Sequence, residues 1–142
     1  MTEVYKLFVP GIPKAQPRPR MTKAGHVYTP DSAKAWKDAV SVEFLLQKKE
    51  IINQPVKLTV CFFLPIPKSR LSGSKRITEM SPHTGKPDSD NLLKAVMDAM
   101  SAQKKGKPTA ASVWTDDALV FSSHATKRYT AGASGAMITV EV

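Results

Sequence analysis

The chain has 142 residues, of which 42% are hydrophobic and 23% charged, the balance of a soluble globular protein with one core. A single cysteine, Cys61, excludes a disulfide framework, no apolar run reaches the roughly 20 residues of a membrane span, and no secretory signal precedes the first strand. The net charge of +9 points to a polyanionic partner, with nucleic acid favoured over a membrane surface. We therefore expect one cytoplasmic domain over residues 1–142.

The N-terminal part predicts a strand, a basic loop and a helix. A short strand over residues 5–9 ends at Pro10-Gly11. Prolines at positions 13, 17 and 19 exclude a helix from residues 11–29, which we expect to form an extended loop. A helix over residues 32–49 follows, and its apolar residues recur at helical spacing: Ala35, Trp36, Ala39, Val40, Phe44 and Leu45.

The rest of the chain alternates strands with one further helix. We predict a strand over residues 56–64, a second basic loop over 65–87 and a helix over 89–102 with Leu93, Val96, Met97 and Met100 on its apolar stripe. A flexible basic linker over 103–112 leads to a strand over 119–129, and residues 137–142 form the last strand. This order predicts an α+β fold, in which a small mixed sheet carries two principal helices and an acidic centre lies at the sheet edge.

The charge is unevenly distributed along the chain. Residues 1–86 hold 15 basic and 6 acidic side chains, whereas residues 87–142 hold 6 of each. The two basic loops, residues 11–29 and 65–87, contain one acidic residue between them, Glu79, so we expect them to contact phosphates. The alternative for both is a solvated surface connection. The predicted DNA-binding residues are Lys14, Arg18, Arg20, Lys23, Lys68, Arg70, Lys75 and Arg76.

Two pairs of aspartates follow. Asp88 and Asp90 stand two residues apart in an extended segment, which aims both side chains the same way with Cα atoms about 6.5 Å apart. Lys94, four residues further, shares a helical face with Asp90. The second pair is Asp116 and Asp117, just before a strand. Singly, each pair suits a helix cap or a turn; together, three converging carboxylates without His or Cys suit Mg²⁺, with Mn²⁺ as a substitute.

A bound ion would give these residues a hydrolytic role. It would activate a water and neutralise charge during in-line attack on a phosphodiester, and Lys94 would stabilise the developing charge.

These residues also carry a resemblance to a known family. The stretch Pro87-Asp88-Ser89-Asp90-Asn91-Leu92-Leu93-Lys94, followed by Trp114-Thr115-Asp116-Asp117-Ala118-Leu119-Val120, resembles the RusA family of Holliday-junction resolvases, which are common in phages and prophages. The resemblance implies a Mg²⁺-dependent homodimeric endonuclease that nicks four-way DNA junctions symmetrically in recombination and repair, inside a bacterial or phage-infected cell. It implies metal ligands at Asp88, Asp90 and Asp117, an essential Lys94, and supporting positions at Asn91 and Asp116.

The chain differs from the family pattern at three places. The connection over residues 102–113 is longer than expected, residues 65–86 are expanded, and the first loop lacks the asparagines of other members. Individual DNA contacts therefore do not transfer from the family to this chain.

Two other functions stay open from the sequence. One is a nuclease acting on flaps and forks, and the other is a non-catalytic nucleic-acid-binding protein whose aspartates only cap a helix and close a turn. For a dimer interface, the apolar run over residues 61–64 is one candidate, although a buried core strand is the favoured interpretation.

Overall fold

The structure is a computed structural model that describes residues 2–47, 49–101, 103–104, 107–108 and 112–142. Four strands form the main sheet: β1 (Glu3–Pro10), β4 (Val56–Pro65), β7 (Val120–Thr130) and β8 (Gly135–Glu141). Two short ladders pair β2 (Arg20–Met21) with β3 (Val27–Tyr28), and β5 (Gln103–Lys104) with β6 (Lys107–Pro108). The helices are α1 (Lys34–Gln47) and α2 (Ser89–Met100). The predicted α+β class is confirmed.

The main sheet is mixed, in the spatial order β1-β8-β4-β7. Strand β8 runs antiparallel to both of its neighbours, whereas β7 runs parallel to β4. Strand β4 is therefore interior, and β1 and β7 form the two edges of this sheet.

The core lies between one face of the sheet and the two helices. Strand β4 alternates strictly, burying Val56, Leu58, Val60, Phe62 and Leu64 while the residues between them stay half-buried on the other face. Helix α1 packs against β1, α2 packs against β7, and the helices pack against each other. Phe62 and Leu64 belong to this core. The interpretation of residues 61–64 as a core strand is therefore confirmed.

Helix α1 is shorter than predicted and buries fewer residues. Its buried side chains are Trp36, Val40 and Phe44, a repeat of four residues. Ala35 and Leu45, predicted on the apolar stripe, are exposed because each lies one position around the helix from that repeat. The last residue of the helix is Gln47, and residue 48 lies outside the described residues.

The prediction of a wholly loop-like segment over residues 11–29 is wrong. Strands β2 and β3 pair Arg20 with Tyr28 and Met21 with Val27, and the chain reverses between them. Gly25 adopts a positive φ of 86° that suits glycine, and the Thr22 hydroxyl accepts a hydrogen bond from the backbone N–H of His26 at 3.1 Å. We call residues 18–28 the basic arm.

The predicted linker over residues 103–112 also contains structure. Gln103 and Lys104 pair with Pro108 and Lys107, so a short ladder follows α2. Residues 102, 105–106 and 109–111 lie outside the described residues. Among the residues that are described, no helix is long and apolar enough to cross a membrane.

Helix α2 runs antiparallel to β7, and this direction decides where the aspartates lie. Lys127, near the end of β7, donates from Nζ to the carbonyls of Gly85 and Pro87, just before the helix starts. At the other end, the N–H of Val113 donates to the carbonyl of Met100 at 2.7 Å. The start of α2 therefore lies beside the end of β7. Twelve residues of helix separate its two ends by about 18 Å.

Candidate metal and nucleic-acid site

Asp88 and Asp90 lie at the start of α2. Asp88 occupies the position before the first helical residue, yet its side chain makes no capping hydrogen bond. Its carboxylate lies 3.4 Å from Lys86 Nζ, with half of the side chain exposed. Asp90 is exposed in the first helical turn. A helix-capping role for the Asp88 side chain is not observed, and both carboxylates are accessible to a ligand.

Two contacts that the sequence did not reveal hold this segment in place. Lys127 Nζ lies 2.7 Å from the Gly85 carbonyl oxygen and 2.8 Å from that of Pro87, so one ammonium fixes the residues that precede Asp88. The backbone N–H of Gln16 donates to the Asn91 carbonyl at 3.0 Å, which attaches the first basic loop to the first turn of α2. Only the fold brings these distant residues together, so no local pattern could have found them.

The two aspartates of the second pair make different contacts. Asp116 accepts a hydrogen bond from the N–H of Ala118 at 2.8 Å and closes a 3₁₀ turn over Asp117–Leu119, as the turn alternative predicts. Asp117 is exposed and accepts a hydrogen bond from Nε1 of the fully buried Trp114, also at 2.8 Å. Trp114 thus holds the Asp117 carboxylate at a defined position.

Asp117 lines a cavity of about 600 Å³ at the end of α2. Its lining residues are Lys37, Asp38, Ser41, Asp98, Ala99, Ser101, Asp116 and Asp117. Lys37 Nζ lies 2.7 Å from the Asp98 carboxylate, so a cation from α1 already pairs with one of these acids. Asp38 and Asp98 are acidic neighbours of Asp117 that sequence reasoning did not single out.

The two aspartate pairs consequently lie at opposite ends of α2. The sequence predicted that Asp88, Asp90 and Asp117 converge, but the antiparallel course of α2 and β7 separates Asp117 from the other two. Within the described ranges, no group of three His, Cys, Asp or Glu residues is placed to hold a metal ion. A single chain therefore brings together Asp88 and Asp90, and leaves Asp117 about one helix length away.

Lys94 lies on the exposed face of α2. Asp90, Lys94 and Asp98 recur every four residues and form one charged stripe along the helix. The shared face that the spacing of Asp90 and Lys94 predicts is therefore observed.

Beside Asp88, the two basic loops meet around a second cavity of about 460 Å³. It is lined by Ile12, Pro13, Lys14, Ala15, Leu64, Pro65, His83, Lys86 and Pro87. The His83 ring packs on Tyr129 with ring centroids 4.5 Å apart. Burial lowers the pKa of His83, and the charge of Lys127 lowers it further. The lysines that line this cavity are Lys14 and Lys86.

All eight predicted DNA-binding residues are exposed: Lys14, Arg18, Arg20, Lys23, Lys68, Arg70, Lys75 and Arg76. The basic arm adds apolar groups to its charges, since Met21 is 70% and Val27 is 67% exposed. Exposed cations without covering structure suit contact with a polyanion.

A basic α+β domain that presents two carboxylates between basic loops has the architecture of a protein that acts on nucleic acid. Comparison with known families makes this class specific. The model of the endodeoxyribonuclease RusA family matches residues 10–141, and the chain belongs to that family. The resemblance drawn from the aspartate motifs is thereby confirmed. Membership implies an endonuclease of Holliday junctions, and nucleases of the family generally depend on a divalent metal ion.

A curated relative also matches most of the length of this chain. The chain is 37% identical over 108 residues to YqaN of Bacillus subtilis (strain 168), a protein of uncharacterised function. The match covers 70% of this chain and 75% of the relative.

Proposed function

We propose that this protein resolves four-way DNA junctions in recombination and repair, as a homodimer that hydrolyses phosphodiesters with Mg²⁺. The observation that carries the proposal is the placement of Asp88 and Asp90. Both carboxylates are exposed at the start of α2, beside the cavity where the two basic loops meet. A phosphate bound by these loops would lie next to the carboxylates.

The donor set fits a hard divalent cation. Asp88 and Asp90 offer oxygen atoms alone, and proteins commonly bind Mg²⁺ through one or two carboxylates while water and substrate phosphate complete its shell. Asp88 and Asp90 are the proposed ligands from one subunit. Asp117, which lies about one helix length away within a single chain, would join them from the other subunit of the proposed homodimer. Mn²⁺ is the proposed substitute for Mg²⁺. When bound, the ion supplies an activated water and neutralises charge on the phosphate.

The lysines around the site have separate proposed tasks. Lys86 pairs with Asp88 and is 87% exposed, so its ammonium can turn to a phosphate when a cation takes its place. Lys94, on the helical face of Asp90, would stabilise charge that develops on the phosphate oxygens. Lys127 positions the segment before Asp88 through its two carbonyl contacts.

The test is cleavage of a labelled four-way junction, a flap and a linear duplex, each with Mg²⁺ and with EDTA. Wild type should cut the junction only with metal. Asp90→Asn should lower the rate by at least about a hundredfold while keeping the fold and junction affinity, because it removes a metal ligand from an exposed position. Glu50→Gln, an equal charge change on an exposed loop residue, should cut normally.

The alternatives give different results in the same assay. Tight junction binding without cutting under Mg²⁺ or Mn²⁺ would make the protein a binding module with structural aspartates. Preferential cutting of the flap would indicate a nuclease of flaps and forks. Cutting by Asp90→Asn at the wild-type rate would contradict the metal-ligand assignment.

A further inference from the structure

The second cavity, of about 460 Å³ between the two basic loops, combines buried apolar residues with exposed lysines. Pro13 and Leu64 in its lining are buried, whereas Lys14 and Lys86 are exposed. None of the described lining residues is acidic. A cavity of this size accommodates a small organic group, and this lining suits one that has apolar faces and negative charge beside it.

His83 supplies an aromatic side chain to the same lining. Its ring packs on Tyr129 with ring centroids 4.5 Å apart, which fixes its position. The Nδ1 atom of His83 is buried and has no hydrogen-bond partner among the described residues. Buried polar atoms are normally paired. The wall of the cavity therefore contains an aromatic ring with an unused polar atom.

The cavity adjoins one of the proposed metal ligands. Pro87 lines the cavity, and Asp88 is the next residue in the chain. Lys86, another lining residue, has its Nζ 3.4 Å from the Asp88 carboxylate. A nucleotide whose phosphate reaches Asp88 would therefore have its base within reach of this cavity.

Both loops that form the cavity are attached to the backbone around the carboxylates. In the first loop, the N–H of Gln16 donates to the carbonyl of Asn91 at 3.0 Å, directly after Asp90. In the second loop, Lys127 Nζ holds two backbone carbonyls just before Asp88, at 2.7 and 2.8 Å. A group bound between the loops would thus contact segments that are tied to both candidate ligands.

We propose that this cavity takes one unstacked nucleobase of the DNA strand, next to the phosphate that is cut. Apolar side chains and the His83 ring cover the faces of the base, as in enzymes that hold a base outside the helix. Lys14 and Lys86 bind the neighbouring phosphates. The position of the cut phosphate rests on the proposed function, whereas capture of a base does not require cutting.

Such a cavity would favour branched DNA over linear duplex. Taking a base out of an intact duplex costs stacking and pairing energy, and this cost is lowest where the base is already mismatched or unpaired. Base pairs beside a branch point open more easily than those inside an arm. The cavity would therefore be filled more readily at a junction, where the carboxylates are then placed beside the strand.

Fluorescence of 2-aminopurine tests the capture of a base without any cutting. The probe replaces each nucleotide around the branch point in turn, and the protein carries Asp90→Asn so that the DNA stays intact. At one position, binding should raise the fluorescence at least about threefold, because the probe leaves the stack. Adding Ala15→Phe, which places a phenyl group in the lining, should abolish this rise. The matched control is Ala133→Phe, at an exposed turn residue outside the lining, which should keep the rise.

A mismatch at the same nucleotide gives a second test, on the protein without substitutions. Binding to a junction in which this base is mismatched should be about tenfold tighter, because the cost of unpairing is already met. The same mismatch within an arm should change affinity less than about twofold. This comparison stands even if Ala15→Phe fails to fold.

The outcomes separate this inference from the proposed function. The base site is overturned if no position shows the rise, if Ala15→Phe folds and keeps it, or if the mismatch acts equally at both places. A protein that shows both signals but cuts no junction with Mg²⁺ or Mn²⁺ retains the base site and loses the proposed function. A protein that cuts junctions without either signal retains the function and loses the base site.

Discussion

At the scale of single residues, aspartates that occur in similar sequence pairs make different hydrogen-bond contacts in the structure. Asp116 closes a turn through the N–H of Ala118, whereas its neighbour Asp117 is held by the indole of Trp114 and stays exposed. Asp88 begins a helix without capping it, and an ammonium from β7 fixes the backbone behind it. Asp116 and Asp117 thus differ in the donor that reaches each carboxylate, a backbone N–H for Asp116 and an indole N–H for Asp117.

Trp114→Phe should show that the indole positions Asp117. The variant keeps an aromatic ring in the core but removes the N–H that lies 2.8 Å from the carboxylate. A hydrogen bond to a charged group contributes about 1.5 kcal/mol, so we expect a roughly tenfold higher Mg²⁺ concentration for half-maximal cleavage. The maximal rate at saturating Mg²⁺ should change much less. If the Mg²⁺ concentration for half-maximal cleavage is unchanged and thermal unfolding shows an intact fold, Trp114 does not position a metal ligand.

Sequence reasoning found these residues but not their roles. The motifs located Asp88, Asp90, Lys94 and Asp117, because residue type and spacing are local properties. They could not separate Asp116 from Asp117, because that distinction depends on a buried indole and a backbone N–H. The role of Lys127 could not be predicted either, because its partners Gly85 and Pro87 lie some 40 positions earlier in the chain.

At the scale of elements, strand direction determines the geometry of the site. The long strands and both helices follow from hydrophobic periodicity, and their predicted bounds differ from the observed ones by a few residues. Periodicity carries no information on strand order or direction, so the separation of Asp117 from Asp88 by α2 was not predictable. The β2–β3 ladder was also missed, because a two-residue strand is too short for a periodic pattern.

Gly135→Ala should damage the fold at the β1–β8 contact. A Cβ at this position would overlap the Val9 carbonyl oxygen and the Phe8 ring, and the backbone oxygen cannot move aside without breaking the ladder. We expect a loss of about 2–3 kcal/mol of unfolding free energy and a fall in Tm of about 5–10 °C. Thermal unfolding measures this.

The matched control for that substitution is Gly132→Ala. There a Cβ would meet only the Thr130 hydroxyl oxygen at an ordinary 3.7 Å, so the Tm should stay within about 2 °C of wild type. Equal Tm values for the two variants would show that the close contact at Gly135 does not make alanine destabilising there.

At the scale of the whole molecule, exposed positive charges lie on the basic loops, whereas the candidate metal ligands lie at the ends of helices and turns. The basic arm and the second basic loop project eight exposed cations, and the cavity where the loops meet adjoins Asp88. A rigid sheet with two helices thus holds the carboxylates, while mostly irregular segments surround them with charge. This division suits an enzyme that recognises the shape of its DNA through the phosphate backbone.

Neutralising Arg18, Arg20, Arg70 and Arg76 together should weaken junction binding and flatten its dependence on salt. Each lost phosphate contact lowers the slope of log K against log salt by about 0.9, so the slope should fall by up to about 4. Binding titrations from 50 to 200 mM salt measure the slope. A fourfold substitution that lowers affinity and leaves the slope unchanged would mean that these arginines do not contact phosphate.

We propose that this member of the RusA family cuts four-way junctions in a paired, metal-dependent manner. The most direct measurement maps the nicks on a synthetic junction that is labelled on each of its four strands in turn, with Mg²⁺ present. We predict nicks at symmetry-related positions on two opposite strands, which yield ligatable duplexes, and no nicks with EDTA or with Asp90→Asn. Scattered or single-strand cutting, or cutting that persists in EDTA, would contradict the account.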